Sequence, residues 1–134
     1  MTKVSYPMSN DVPTSHLPFS PVVQVNDLLF VSGQASVDDT GAIVSDTFEG
    51  EFHRCIRNLE QILVAAGSGL NHVVQTRCYV DDPADVKLFN KLYAKTFSDP
   101  YPARTTITQC FNGKLKFEID CIATVAASTQ KADG

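Results

Sequence analysis

The chain has 134 residues, 43% of them hydrophobic and 19% charged. That describes one ordinary globular domain, too short for a second core and too apolar for a disordered chain. Eleven Lys and Arg against fifteen Asp and Glu give a formal charge of −4, so the molecule's field repels polyanions and argues against a nucleic-acid partner.

No apolar run approaches the length of a bilayer span, and the N-terminal "MTKVSYPMSNDVPTSH" has no apolar h-region. The four cysteines, Cys55, Cys78, Cys110 and Cys121, form no C-x-x-C pair. They are expected to be reduced thiols of a cytoplasmic protein that neither spans nor binds a membrane.

In chain order, residues 1–18 are rich in Pro, Ser and Asn and read as an irregular arm on a single domain spanning 1–134. "PVVQV" and "LLFVSG" read as two short strands joined at the "ND" turn, a hairpin. "QASVDDTGAIVSD" carries a D-D-T-G turn with a short strand at "AIV". The first helix follows, with apolar residues at Phe48, Phe52, Cys55, Ile56, Leu59, Ile62, Leu63 and Ala66 on the i, i+3, i+4, i+7 rule. Asp46 with Glu49 resembles a capping box, Gly67 fits the stop, and Gly50 sits inside the pattern.

"HVVQTRCYV" reads as a strand, rich in β-branched and aromatic residues. A second helix is expected from Asp82 as N-cap and Pro83 at the first helical position, with Val86, Phe89, Leu92, Tyr93 and Phe97 as its apolar stripe. "RTTITQC" and "KFEIDCIATVA" close the chain as strands joined by an Asn112-Gly113 turn.

Strands with two interspersed amphipathic helices imply a two-layer α+β or α/β sandwich, both helices on one face of a mixed sheet. In the last strand Phe117, Ile119, Cys121, Ala123 and Val125 alternate with Glu118, Asp120, Ile122 and Thr124, so one side can meet the helices while a mixed side looks away. Arg104, Thr106 and Thr108 also share one side of their strand. A mixed face of this size is better buried against another subunit than left in water, which implies a homo-oligomer with polar pockets at its interfaces.

The segments "FSPVVQVNDLLFVSGQ", "NLEQILVAAGSGLNHVVQTRCYVDD", "FNKLYAKTF", "YPARTTI" and "FEIDCIA" stand in the order and spacing of the RidA (YjgF-type) family, the reactive intermediate imine deaminases, known in older usage as endoribonuclease L-PSP. The chain resembles that family over about residues 19–126; no one motif is specific, but five in order are. The resemblance implies a chorismate-mutase-like fold, a homotrimer with three clefts between subunits, and hydrolysis of enamines or imines such as 2-aminoacrylate and its imine tautomer to a 2-keto acid and ammonia. Arg104 matches the family's carboxylate-binding arginine and Glu118 the glutamate that positions water. Ser32 and Gly33 match a cleft wall, and Asn90 an asparagine on the second helix. Phe19 stands where several members have Tyr and Thr106 where many have Cys, departures that bear on substrate preference more than on basic activity.

The chemistry is consistent with those roles. A guanidinium offers a planar fork matched to a carboxylate, and Pro102 stiffens the approach to Arg104 in "YPART". An electrophilic imine carbon then needs a placed water and a proton acceptor, which Glu118 supplies without metal or organic cofactor. Each residue also has a plainer reading. On spacing alone, an Arg and a Glu on facing strands are more often a structural ion pair, and the resemblance is what reverses that preference. Ser32 and Gly33 alone are a strand end, Asn90 a solvated side chain, and the cysteines core filler. His16, His53 and His72 lack ligand spacing.

Three functions remain: a deaminase of small imines, with variants for 3-aminoacrylate or 2-aminomuconate; a regulatory trimer that binds small carboxylates without turnover; and a ribonuclease. The acidic chain lends the last little support. Glu118 discriminates the first two, because carboxylate binding needs only the arginine.

Overall fold

A computed structural model describes residues 1–7 and 16–126. It contains six strands, β1 (Val4–Ser5), β2 (Val22–Val25), β3 (Leu28–Ala35), β4 (Val73–Val80), β5 (Ala103–Thr108) and β6 (Phe117–Thr124), and two helices, α1 (Phe48–Ala65) and α2 (Val86–Thr96). The strands form one mixed sheet in the order β1-β2-β3-β6-β4-β5. The fold is α+β.

The β2–β3 hairpin forms as expected, with Val22 opposite Val31 and Val25 opposite Leu28. Its tight turn is taken by Asn26 at φ 52°, a conformation Asn tolerates better than most residues. The N-terminal arm is not wholly irregular, since Val4 pairs with Val25 and Ser5 with Gln24; its residues 8–15 lie outside the described part. The strand expected at "AIV" shrinks to a single bridge between Val37 and Ile43.

The first helix is capped one residue later than the sequence suggested. Thr47, not Asp46, is the N-cap, its Oγ1 accepting from Gly50 N at 3.1 Å. The residue that reaches back is Glu51 rather than Glu49: its buried carboxylate accepts from Asp46 N at 3.1 Å and Lys116 N at 3.0 Å, and so ties the helix start to the lead-in of β6. At the other end Gly67 adopts φ 87° and Ser68 N donates to Leu63 O at 2.8 Å, a Schellman stop. Asp82 caps a 3-10 turn, Pro83–Asp85, that leads directly into α2.

The last two strands are not a hairpin. β5 pairs in parallel with β4, and residues 109–116 carry the chain across the end of β4 so that β6 lies antiparallel between β3 and β4. The Asn112-Gly113 turn belongs to this excursion, held by the Asp81 carboxylate, which accepts from Phe111 N at 2.7 Å and Gly113 N at 2.9 Å. Inserting β6 gives both β3 and β4 a ladder partner on the side that α1 bridges. The connections β3-α1-β4 and β4-α2-β5 then run the same way along the sheet, so the right-handed crossover rule puts both helices on one face.

The core fills that layer. Phe52, Phe89 and Phe117 meet with ring centroids 4.9 Å (Phe52–Phe117), 5.6 Å (Phe89–Phe117) and 6.3 Å (Phe52–Phe89) apart. Such contacts add to area burial because ring edges are positive and faces negative. Cys55, Cys78 and Cys121 are buried among them, and burial pushes the Cys78 and Cys121 thiols up to about 12. They are space-filling, protonated groups. Phe117 and Ile119, locked into this layer, force Glu118 and Asp120 to project from the opposite, open face.

Candidate functional site

The expected site residues separate into two groups. Arg104 is in register with Thr76, whose side chain points beneath α2 and shares a 2.8 Å hydrogen bond with the Tyr93 hydroxyl. Paired strand residues face the same way, so Arg104 leaves the sheet on the helix side, at the β5 edge. Its guanidinium carbon lies 4.9 Å from the ring centroids of both Phe89 and Tyr93. Two aromatic rings attract the cation and hold it in place while the residue stays exposed.

Next to it is a cavity of about 330 Å³ lined by Asn90, Tyr93, Ala94, Tyr101, Pro102 and Arg104. Asn90, exposed on α2, thus joins the arginine, while Thr106, two residues along the same side of β5 and in register with Cys78, is not part of this lining. The Thr106 Oγ1 atom is sealed from solvent and has no hydrogen-bond partner.

Glu118 stands on the other face of the sheet, in register with Ala35 on β3 and Tyr79 on β4. It does not pair with Arg104: β4 intervenes, and among the described residues no ion pair joins them. The facing-strand ion pair is therefore not what these two residues make.

A bulge between Val31 and Gln34 sets Ser32 and Gly33 against this part of β6. The bulge re-aims the strand and brings Gly33 against the carboxylate. A Cβ on Gly33 would lie 2.7 Å from Glu118 Oε2. The half-buried Glu118 has its proton affinity raised, first by loss of water and second by the charge of Asp120. Ser32 uses its hydroxyl to donate to Ser20 O at 2.6 Å, and its N–H to donate to Pro21 O at 2.9 Å. It straps to β3 the segment that carries Phe19, whose ring is exposed.

The sequence reading missed a network beside Glu118. Asp120, nearly buried, accepts from Arg77 Nε at 2.9 Å and from the Tyr79 hydroxyl at 2.8 Å. Tyr79 is pushed up to about 12 by burial and by this hydrogen bond to a carboxylate, so it remains a donor. The signal was present in the alternation: Arg77 and Tyr79 share one side of β4 as Glu118 and Asp120 do on β6. It needed the β4–β6 pairing to be read.

A larger groove, about 690 Å³, runs between the outer face of α1 and Val37–Asp39. Of its charged groups, Arg54 is bonded to Ser36 Oγ and Asp46.

The sequence profile of the endoribonuclease L-PSP family matches residues 9–125. This chain belongs to that family. It is 37% identical over 110 residues to Reactive Intermediate Deaminase A, chloroplastic, of Arabidopsis thaliana, covering 81% of this chain and 59% of that protein. It thus spans less than two-thirds of that relative's length. RutC family protein y4sK of Sinorhizobium fredii is 37% identical over 120 residues, covering 85% of this chain and 92% of its own. Among solved structures, YyfA of Yersinia pestis, of the conserved Rid protein family, superposes with a TM-score of 0.83 at 25% identity, covering 92% of this chain and all of its own. The resemblance read from the five motifs is thereby established as L-PSP/Rid membership.

Proposed function

We propose that this L-PSP-family chain is a hydrolytic deaminase of small carboxylate-bearing enamines and imines, of the 2-aminoacrylate and 2-iminopropanoate type, and that its sites lie between the subunits of a homotrimer. The observation that carries this reading is the placement of Arg104 and Glu118 on opposite faces of one sheet. One chain cannot bring them to a common substrate of a few atoms. A cyclic assembly in which the helix-side edge of one subunit meets the open face of the next can. The open face suits burial, because Leu28, Phe30 and Ile107 project exposed from it around the polar residues.

In such a cleft the Arg104 fork holds the substrate carboxylate, and the Phe89 and Tyr93 rings hold the guanidinium in place. The carboxylate of Glu118 from the neighbouring subunit accepts a proton from a water as the water oxygen bonds to the imine carbon. The C=N π electrons move to nitrogen, giving a carbinolamine. Glu118 returns that proton to the nitrogen; it then takes the carbinolamine hydroxyl proton and passes it to the nitrogen as the O–H electron pair forms the C=O bond, the C–N bond breaks, and ammonia and the 2-keto acid leave. A raised proton affinity suits a group that must take up a proton and release it within one cycle. The sealed Thr106 hydroxyl gains a partner when substrate or neighbour completes the cleft.

The test mixes two inactive variants. Arg104→Lys and Glu118→Gln homo-oligomers, dissociated, combined 1:1 and reassembled, recover about a quarter of wild-type keto-acid release, because a cleft drawing one residue from each neighbour is intact in one arrangement of four. Sedimentation equilibrium gives three times the chain mass. No recovery from mixed oligomers, or a monomer mass at micromolar concentration, overturns the shared cleft. Carboxylate binding without keto-acid release in the wild type makes the protein a binding trimer instead.

A further inference from the structure

The polar cluster on the open face carries an inference that rests on the reading of Glu118 as the proton carrier. Asp120 follows Glu118 by two residues on the same side of β6, about 6.6 Å along the strand. It is gripped from β4 by Arg77 and Tyr79, at 2.9 and 2.8 Å. A surface aspartate needs no such clamp. Its side chain is only 14% exposed, whereas that of Arg77 is 61% exposed, so the negative end of the pair is the one turned into the fold. We infer that Asp120, clamped by Arg77 and Tyr79, is a positioning residue that holds a fixed negative charge beside Glu118.

The remaining surroundings of Glu118 leave this role to Asp120. From β3 it meets Gly33 and Ala35, which carry no charge. From β4 it meets Tyr79, held as a neutral phenol by its bond to Asp120. Cys110, exposed in the 109–116 excursion, and Cys55, buried on α1, both feel the Glu118 charge, and in both loss of water, first, and neighbouring carboxylate charge raise the thiol's proton affinity. The Lys116 ammonium is engaged 3.5 Å from the Glu51 carboxylate. Within the chain, Asp120 with its Arg77 counter-charge is therefore the charged group that faces Glu118. One hydrogen bond from the Tyr79 phenol and one from the Arg77 guanidinium hold that carboxylate in place on β6.

Opposite halves of one ion pair predict opposite shifts. Asp120→Asn removes the negative charge and leaves Arg77, so Glu118 titrates lower by about one pH unit, the scale expected for a unit charge at this spacing in a half-buried site. Arg77→Gln removes the positive charge and moves Glu118 higher. With only four glutamates, Glu49, Glu51, Glu60 and Glu118, carboxyl-carbon NMR titration of labelled protein resolves the group directly, Glu118→Gln supplying the assignment. The acid limb of kcat/KM for imine hydrolysis is expected to move with it, to lower pH in Asp120→Asn and to higher pH in Arg77→Gln.

A Glu118 midpoint that stays put in Asp120→Asn, or that moves the same way in both variants, overturns the inference. Because Arg77 is largely exposed, Arg77→Gln keeps the test decisive should Asp120→Asn not fold. Opposite NMR shifts in a protein that hydrolyses no imine would uphold the role of Asp120 while removing the deaminase reading.

Discussion

Gly33→Ala is the perturbation that separates fold from chemistry most sharply. The new methyl carbon falls 2.7 Å from Glu118 Oε2 and 3.0 Å from its Cδ, while ordinary contact begins near 3.4 Å, so the carboxylate must retreat by about 0.7 Å. The obstacle is the far end of a side chain and not backbone, so the fold yields at little cost. Alanine also restricts the unfolded chain, an effect worth roughly 0.4–1 kcal/mol in favour of folding where the backbone is compatible. Stability is therefore expected to change by less than about 1 kcal/mol in either direction. Catalysis has no such tolerance, since a displacement approaching 1 Å at a reacting group costs on the order of 10²-fold. Keto-acid release from an imine generated in situ should fall roughly 10- to 100-fold, with the urea midpoint nearly unchanged. Turnover within a factor of two of wild type would mean that the Glu118 carboxylate is not where the water must be held.

Arg104→Lys should lower kcat/KM by about 10²-fold or more with the melting temperature preserved, because a point charge supplies neither the bidentate fork nor the guanidinium's contact with Phe89 and Tyr93; near-normal turnover would remove Arg104 as the anchor. Glu118→Gln should abolish most hydrolysis while leaving 2-keto acid binding, measured by calorimetry, intact, and loss of both would make Glu118 structural. The same variant should be more stable than wild type at pH 7.5. A carboxyl whose affinity for its proton is raised on folding favours the fold below its unfolded value and loses that contribution as pH rises through the folded one. The gain should fade as the pH is lowered past the carboxylate range, and a Gln variant less stable at pH 7.5 would refute desolvation as the governing effect.

What was legible in the sequence was what is decided locally. The apolar spacing of α1 and α2, the Gly67 stop and the β2–β3 hairpin each depend on residues within a few positions of one another, and they stand where the pattern put them. The cap of α1 slipped by one residue because its partner is not local: Glu51 is recruited by Lys116 N, sixty-five residues away. The β5–β6 hairpin failed for a related reason. Asn112-Gly113 is a strong turn signal, but no local rule tells whether the strands it separates pair with each other or are divided by a third. The site followed the same division. Arg104, Gly33 and Glu118 could be singled out through short motifs, yet the face on which each stands depends on registers with β4 and β3. Arg77 and Tyr79 were not singled out by any local pattern, and only the β4–β6 pairing joins them to Asp120.

The insertion of β6 between β3 and β4 has a chemical consequence. Had the last two strands formed a hairpin, Arg104 and Glu118 could have met within one chain, and two opposite charges about 4 Å apart in a partly desolvated site attract by about 4 kcal/mol at an effective dielectric of 20. A substrate carboxylate would have to break that pair before binding, a loss of roughly 10³ in affinity. Glu118, held by the arginine, would also be a weaker proton acceptor, since a neighbouring cation favours its charged form. With β4 between them each group takes a partner that leaves its function free: two aromatic rings for the guanidinium, which cannot neutralise it, and the clamped Asp120 for the carboxylate, which raises rather than lowers its proton affinity. On the reading proposed above, the bound substrate supplies the anion that Arg104 lacks. The topology that hid these residues' faces from a local reading of the sequence is the one that keeps the two charges from pairing within a chain.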